Sequence, residues 1–134
     1  MSLTSSPSEP VAAVRSLLRA KLRTAMKAKD RVAAGALRSV LGALDNAEAV
    51  KAPPTSTATT SEYVAAAAVG VGAAEADRRT LTAADIRTIV EREITERRAA
   101  IPEFVGGGAR AEQRAAELQN EIDVLAPLLD ELPA

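Results

Sequence analysis

Cysteine, histidine and tryptophan are absent from the sequence, and its only aromatic rings belong to Tyr63 and Phe104. The first two absences exclude disulfides, thiol nucleophiles, Ser-His catalysis and the usual zinc sites. Residues 1–10 lack the basic start and apolar run of a secretory signal, and no stretch approaches the roughly 20 apolar residues that a membrane span needs. We therefore expect no metal, no cofactor and no membrane span, and we expect a cytoplasmic protein.

Alanine is the commonest of the apolar residues, which make up 47% of the 134-residue chain. A chain of this length can build one domain with a hydrophobic core and is too short to predict two. A core with so few large rings must pack alanine, leucine, valine and isoleucine closely, which suits helix against helix better than sheet against sheet. The composition therefore favours an all-α domain.

Two amphipathic helices are predicted in the first part of the chain, because apolar residues recur there at helical spacing. We expect the first at 9–28 and the second at 30–48. Asp30 stands where an N-cap belongs, since its short carboxylate can accept from the backbone N–H groups of the first turn. The two helices should therefore meet at a tight charged corner.

Two further amphipathic helices are predicted in the last part of the chain. A capping box formed by Thr82 and Asp85 marks the start of the third helix, and Pro102 should kink or end it. The fourth helix begins near Ala109, after a run of glycines, and Pro127 interrupts its close. Its apolar face is a sustained seam that requires a packing partner.

The remaining segments carry weaker signals. Residues 1–8 are rich in serine, threonine and proline and are predicted to be disordered. Residues 49–80 form a Pro/Ser/Thr- and Ala/Gly-rich insert, in which 62–79 is either a weak short helix or a loop of small residues. We therefore predict a single helical domain at 9–132, a small bundle of about four main amphipathic helices arranged as two helical hairpins.

No catalytic constellation or metal site is predicted. Four glutamates could be imagined as metal ligands or acid/base groups: Glu91, Glu93, Glu96 and Glu103. They alternate with arginines on the face away from the isoleucines, which favours a solvated, salt-bridged surface. The glycines at 70–72 and 106–108 lack the context of nucleotide-binding loops and are interpreted as hinges or helix ends.

Charge is distributed unevenly along the chain. Nine basic and four acidic residues lie in 1–51, whereas eight basic and fourteen acidic residues lie in 52–134. This asymmetry is typical of an anion-binding face, or of halves that attract one another within the fold or between copies.

A set of basic residues in the first half could bind phosphates. Arg15, Arg19 and Arg23 are spaced by four and form a ridge along the first helix, which Lys27 extends. No aromatic side chains are interleaved with them, so a nucleic acid would be contacted through its backbone and shape. The set also includes Arg31, and the residues we expect to contact phosphates are Arg15, Arg19, Arg23, Lys27, Lys29 and Arg38. The alternative is a solvated or partner-facing surface.

Three stretches together resemble a known family. They are Leu22–Glu48 with its AMKAKD corner, Leu81–Arg98, and Glu117–Leu125. This pattern is similar to the GatB/YqeY family, and specifically to the YqeY-like small proteins, which are related to the C-terminal helical region of the aminoacyl-tRNA amidotransferase B subunit. Family members commonly continue into a second helical tail domain, which we expect to be absent here.

The resemblance implies an all-helical domain with a role around tRNA or the glutamine-dependent amidotransferase. It supplies no catalytic residue. The first hypothesis is therefore a non-catalytic helical module that binds tRNA or assists the amidotransferase. The alternative is a protein that interacts with another protein or with itself through the faces at 86–104 and 111–129. A carbon–nitrogen ligase using glutamine as amido donor would follow from family naming only.

Overall fold

The computed structural model describes residues 9–49 and 79–133. Within these ranges the chain is helical and contains no strand, which confirms the predicted all-α bundle. The predicted disorder of 1–8 and the prediction for 62–79 lie almost entirely outside the described residues. The helices are α1 (Glu9–Lys27), α2 (Arg31–Ala49), α3 (Ala83–Phe104), α4 (Ala109–Leu125) and the single turn α5 (Leu128–Glu131).

The four long helices form two hairpins, α1 with α2 and α3 with α4, as predicted. Helix α2 is central, because it packs against α1, α3 and α4. The two hairpins are also joined near the start of the second described range, since the backbone N–H of Arg79 donates to the carbonyl of Glu48 at 2.8 Å. None of the helices in the described ranges combines the length and apolar character that crossing a membrane requires.

The α1–α2 corner is closed by backbone hydrogen bonds. The Asp30 N–H donates to the carbonyl of Ala25 at 2.9 Å, and the Lys29 N–H donates to that of Met26 at 3.1 Å, which is the Schellman arrangement of a helix C-terminus. Lys29 occupies the left-handed position that glycine usually takes, with φ 59°. Asp30 then caps α2, as predicted, because its carboxylate accepts from the N–H of Ala33 at 3.0 Å.

The start of α3 also matches its prediction. The Thr82 hydroxyl accepts from the Asp85 N–H at 3.1 Å, and the Asp85 carboxylate accepts from the Thr82 N–H at 2.9 Å, which completes the capping box. Pro102 does not end α3, which runs on to Phe104. A proline this close to a helix end removes one hydrogen bond on an exposed last turn, so the helix can continue past it.

The core is aliphatic. Its largest fully buried side chains are Leu18, Leu37, Leu44, Leu81, Ile86, Leu125 and Leu128. Small residues replace large ones where α1 and α2 approach: Ala25, Ala34 and Ala36 are each at most 7% exposed. No polar side chain in the described ranges is fully buried, and none has an unsatisfied buried atom. Helix packing of this kind places the polar faces of α1 and α2 on the surface.

Candidate nucleic-acid interface

Arg15 lies inside the fold rather than on an open cationic face. Its guanidinium forms ion pairs of 2.7 Å with both Asp45 and Glu48 on α2, and its side chain is only 14% exposed. Two carboxylates already neutralise this arginine, so we leave it out of the surface proposed below. Lys21 also forms an ion pair, 3.1 Å from Glu131 of α5, and this pair joins the basic first half of the chain to the acidic second half.

The rest of the predicted ridge is open. Arg19, Arg23 and Lys27, here called the cation row, are all exposed on α1. No carboxylate of the described residues forms an ion pair with any of them. Residues four apart on a helix rise by about 6 Å, so the row presents three positive charges along about 12 Å of one helix edge. Such a row can contact successive phosphates of one nucleic-acid strand.

The corner after α1 continues the positive surface. Lys29, Arg31 and Arg38 are exposed there, and no ion pair engages them within the described residues. These three cations border an open depression of about 460 Å³, which we call the corner depression. Its apolar surface is supplied by Ala25, Met26 and Ala34, and Asp30 completes its wall.

Two side chains of the corner depression are held together. The Arg38 guanidinium donates to the Met26 thioether, with Nη2 and Sδ 3.6 Å apart. Met26 is nevertheless 53% exposed, one of two large apolar side chains so exposed in the described ranges. The depression therefore combines an accessible apolar surface with a guanidinium group that contacts it and two further cations.

A second depression, of about 550 Å³, lies on the other side of Lys29, Asp30 and Arg31. Arg114, Glu117 and Glu121 of α4 form its opposite wall. Carboxylates and cations alternate around it, so it has no single sign of charge to attract an ionic ligand.

A partly buried ionic network joins α2, α3 and α4. Arg97 of α3 donates to Glu121 of α4 at 2.7 Å and to Glu93, one turn earlier on α3, at 2.8 Å. Ser39 of α2 donates to the same Glu93 carboxylate at 2.6 Å. The side chains of Glu93, Arg97 and Glu121 are only 12–14% exposed. Burial by itself lowers the pKa of Arg97, but the hydrogen bonds with Glu93 and Glu121 outweigh it and hold that pKa above its ordinary value.

This network corrects the prediction that all four glutamates lie on a solvated face. Glu91, Glu96 and Glu103 are exposed as predicted, but Glu93 is not. Because both α2 and α4 pack on α3, a second stripe of that helix is covered. The four-residue spacing of Glu93 and Arg97 is a signal for that pair in the sequence. Glu121 and Ser39 have no such signal, because their positions depend on how the helices pack.

No three acidic side chains in residues 9–49 and 79–133 are grouped in a way that could hold a metal ion. The seams predicted on the third and fourth helices are used within the bundle. Ile86, Val90 and Ile94 of α3 are buried, as are Leu118 and Ile122 of α4, and the two helices pack against each other.

Comparison of the chain with protein-family models, with curated proteins and with solved structures gave no match.

Proposed function

We propose that this protein is a non-catalytic helical module that binds RNA through the cation row and the corner that follows it. The phosphate-contacting residues in this proposal are Arg19, Arg23, Lys27, Lys29 and Arg38, with Arg31 added. The single observation that carries the proposal is that these cations are exposed along the second half of α1, the corner and the first half of α2, and that none of them forms an ion pair with an acid of the described residues.

The chemistry of the surface supports RNA rather than a small anion. A positive row about 12 Å long matches an extended polyanion, because each neutralised phosphate releases counterions and adds to the affinity. None of the residues on this surface is aromatic, so most of the contact is to backbone phosphates and shape.

The resemblance to YqeY-like proteins makes tRNA the first RNA to test, and it makes the glutamine-dependent amidotransferase a candidate partner. In this proposal the protein acts in the cytoplasm. Self-association through α3 and α4 is not proposed, because those apolar faces pack inside the bundle. Ligase activity is not proposed either, because only the family name suggests it.

The test is binding of total tRNA to the purified protein at low and moderate salt. We expect binding that weakens steeply as salt rises. Changing Arg19 and Arg23 together to glutamine should weaken it and reduce the slope of log affinity against log salt by about 1.4 to 1.8, since each lost phosphate contact removes 0.7 to 0.9.

The matched control changes Arg92 and Arg98, which are exposed on α3, to glutamine. This double variant carries the same change in net charge, and we expect it to bind tRNA nearly as the unchanged protein does. The proposal is contradicted if binding does not weaken as salt rises, or if both double variants lose the same affinity for tRNA.

A further inference from the structure

The corner depression differs from the cation row in having an apolar surface. Ala25 and Ala34 are nearly buried and flat, and the half-exposed Met26 side chain stands beside them. Phosphate groups alone would gain no favourable interaction from such an apolar surface. A ligand that covers it must carry an apolar group.

The same depression also selects for negative charge. Lys29, Arg31 and Arg38 border it, and the carboxylate of Asp30 already accepts from the Ala33 N–H with one of its oxygens. Three cations and the single Asp30 carboxylate give the lining a net charge of +2, so an anionic ligand is attracted to it and a purely apolar one is not. The ligand therefore combines an apolar body with at least one negative group.

A nucleotide has both parts. Unpaired bases in RNA are commonly held by stacking on aromatic rings or on the plane of an arginine guanidinium. Arg38 supplies such a plane beside the apolar surface, since its Nη2 atom lies 3.6 Å from the Met26 sulfur. Lys29 and Arg31 are adjacent to receive the phosphates on either side.

The dimensions favour a nucleotide over a peptide. An amphipathic helix that docks on a protein needs a groove that takes side chains from three successive turns. The corner depression spans the last turn of α1 and the first two turns of α2 and has a volume of about 460 Å³, within the range of small-molecule sites.

We propose that the corner depression receives one unpaired nucleotide of the bound RNA. The base lies against Met26, Ala25 and Ala34 and stacks on the Arg38 guanidinium, while Lys29 and Arg31 contact the flanking phosphates. This inference rests on the proposed function and adds to it a preference for RNA with an unpaired residue over a continuous duplex.

The experiment compares two RNAs of equal sequence context: a perfect duplex and the same duplex with a single-nucleotide bulge. The protein should bind the bulged RNA about fivefold to tenfold more tightly, at the lower end of what base stacking contributes. Met26→Ala should bring the two affinities together while leaving duplex binding and its salt dependence unchanged. Val105→Ala is the matched control, because Val105 is the other exposed large apolar side chain, at 59%, and lies away from the depression.

Arg38→Lys is a second variant, which keeps the charge and loses the planar group. It should lose the preference for the bulge and still bind the duplex in a salt-dependent way. Far-UV circular dichroism checks that each variant is folded.

The outcomes separate this inference from the proposed function. The nucleotide site is contradicted if binding depends on salt but shows no bulge preference, or if the preference survives in Met26→Ala. Neither result contradicts the proposed RNA binding. No salt-dependent binding to either RNA overturns both. A third outcome also overturns the inference: the protein binds a synthetic peptide with leucine between glutamates, Met26→Ala loses that binding, and the unchanged protein shows no preference for bulged RNA. The depression would then be assigned to a protein ligand.

Discussion

The guanidinium of Arg15 on α1 lies 2.7 Å from the carboxylate of Glu48 on α2. Both side chains are only 14% exposed, so the pair lies partly between the helices. A second carboxylate, that of Asp45, lies equally close to the same guanidinium. The arginine therefore connects the two helices of the first hairpin, although its sequence spacing places it in one row with Arg19 and Arg23.

We predict that Arg15→Gln lowers stability without weakening RNA binding. Charge-assisted hydrogen bonds that are partly shielded from water contribute about 1–2 kcal/mol, and removal of the arginine leaves two carboxylates close together. Urea unfolding followed by far-UV circular dichroism measures the loss. In the folded variant, tRNA affinity and its salt slope should equal those of the unchanged protein. A reduced slope of log affinity against log salt would instead show that Arg15 contacts a phosphate.

Arg97 should contribute more to stability than any exposed arginine. Arg97→Ala leaves Glu93 and Glu121 partly buried without their common cation, which we expect to cost about 2–3 kcal/mol. Arg114→Ala is the control, because Arg114 is 43% exposed at the edge of the same network, and we expect it to cost less than about 1 kcal/mol. Adding Glu93→Gln and Glu121→Gln to Arg97→Met should recover much of the loss. Equal effects of the two single alanine variants would contradict the central role of Arg97.

Lys29→Gly should stabilise the protein. Lysine at φ 59° has its Cβ close to the following carbonyl, a strain of about 1–2 kcal/mol that glycine does not have. Glycine also increases the conformational entropy of the unfolded chain, which offsets part of this relief. We therefore expect a net increase of about 0.5–1 kcal/mol in the free energy of unfolding. Lys29→Ala removes the same charge and keeps the Cβ, so its unfolding midpoint should stay near that of the unchanged protein. If both variants gain equally, relief of charge repulsion is the cause rather than backbone strain.

The capping box of α3 should give stability an acid-sensitive component. The backbone N–H of Thr82 lowers the pKa of the Asp85 carboxyl below its ordinary value of 3.8; burial opposes this, and the Thr82 hydroxyl and the Arg79 guanidinium lower it further. A lowered folded-state pKa gives stability that is fully present above the unfolded-state pKa and is lost as the pH falls through the folded-state value. Asp85→Asn should therefore reduce the slope of stability against pH below about pH 4. At pH 7, Thr82→Ala should cost about 1 kcal/mol.

Local features of this fold follow from the sequence because their causes lie within one helical turn. The Thr82–Asp85 box and the Asp30 cap each depend on residues no more than three apart, and both form as predicted. The AMKAKD corner marks the Schellman turn for the same reason. Ala25 and Ala36 likewise lie on apolar faces that the helical period identifies, whereas the burial of Ala34 depends on how the helices pack.

The ionic partners could not be predicted in the same way. Glu121 is 24 residues from Arg97, and Glu48 is 33 residues from Arg15, so only the packing of the helices brings them together. The helical period places Glu93 on the solvated face of its helix. The period of one helix does not reveal how many neighbouring helices will cover that face. The corner depression depends on the same interhelical geometry, since its surface combines residues of α1 and α2.

Phe104 is the only aromatic residue in residues 9–49 and 79–133, and it is only partly buried at the end of α3. Phenylalanine absorbs and emits weakly, so the interior of this bundle has almost no near-ultraviolet signal of its own. That signal ordinarily distinguishes a native protein from a molten globule that keeps its helices. A loss of fixed side-chain packing in the described helices would change the near-ultraviolet signal of Phe104 little, and faster amide exchange or binding of an apolar dye would report it instead.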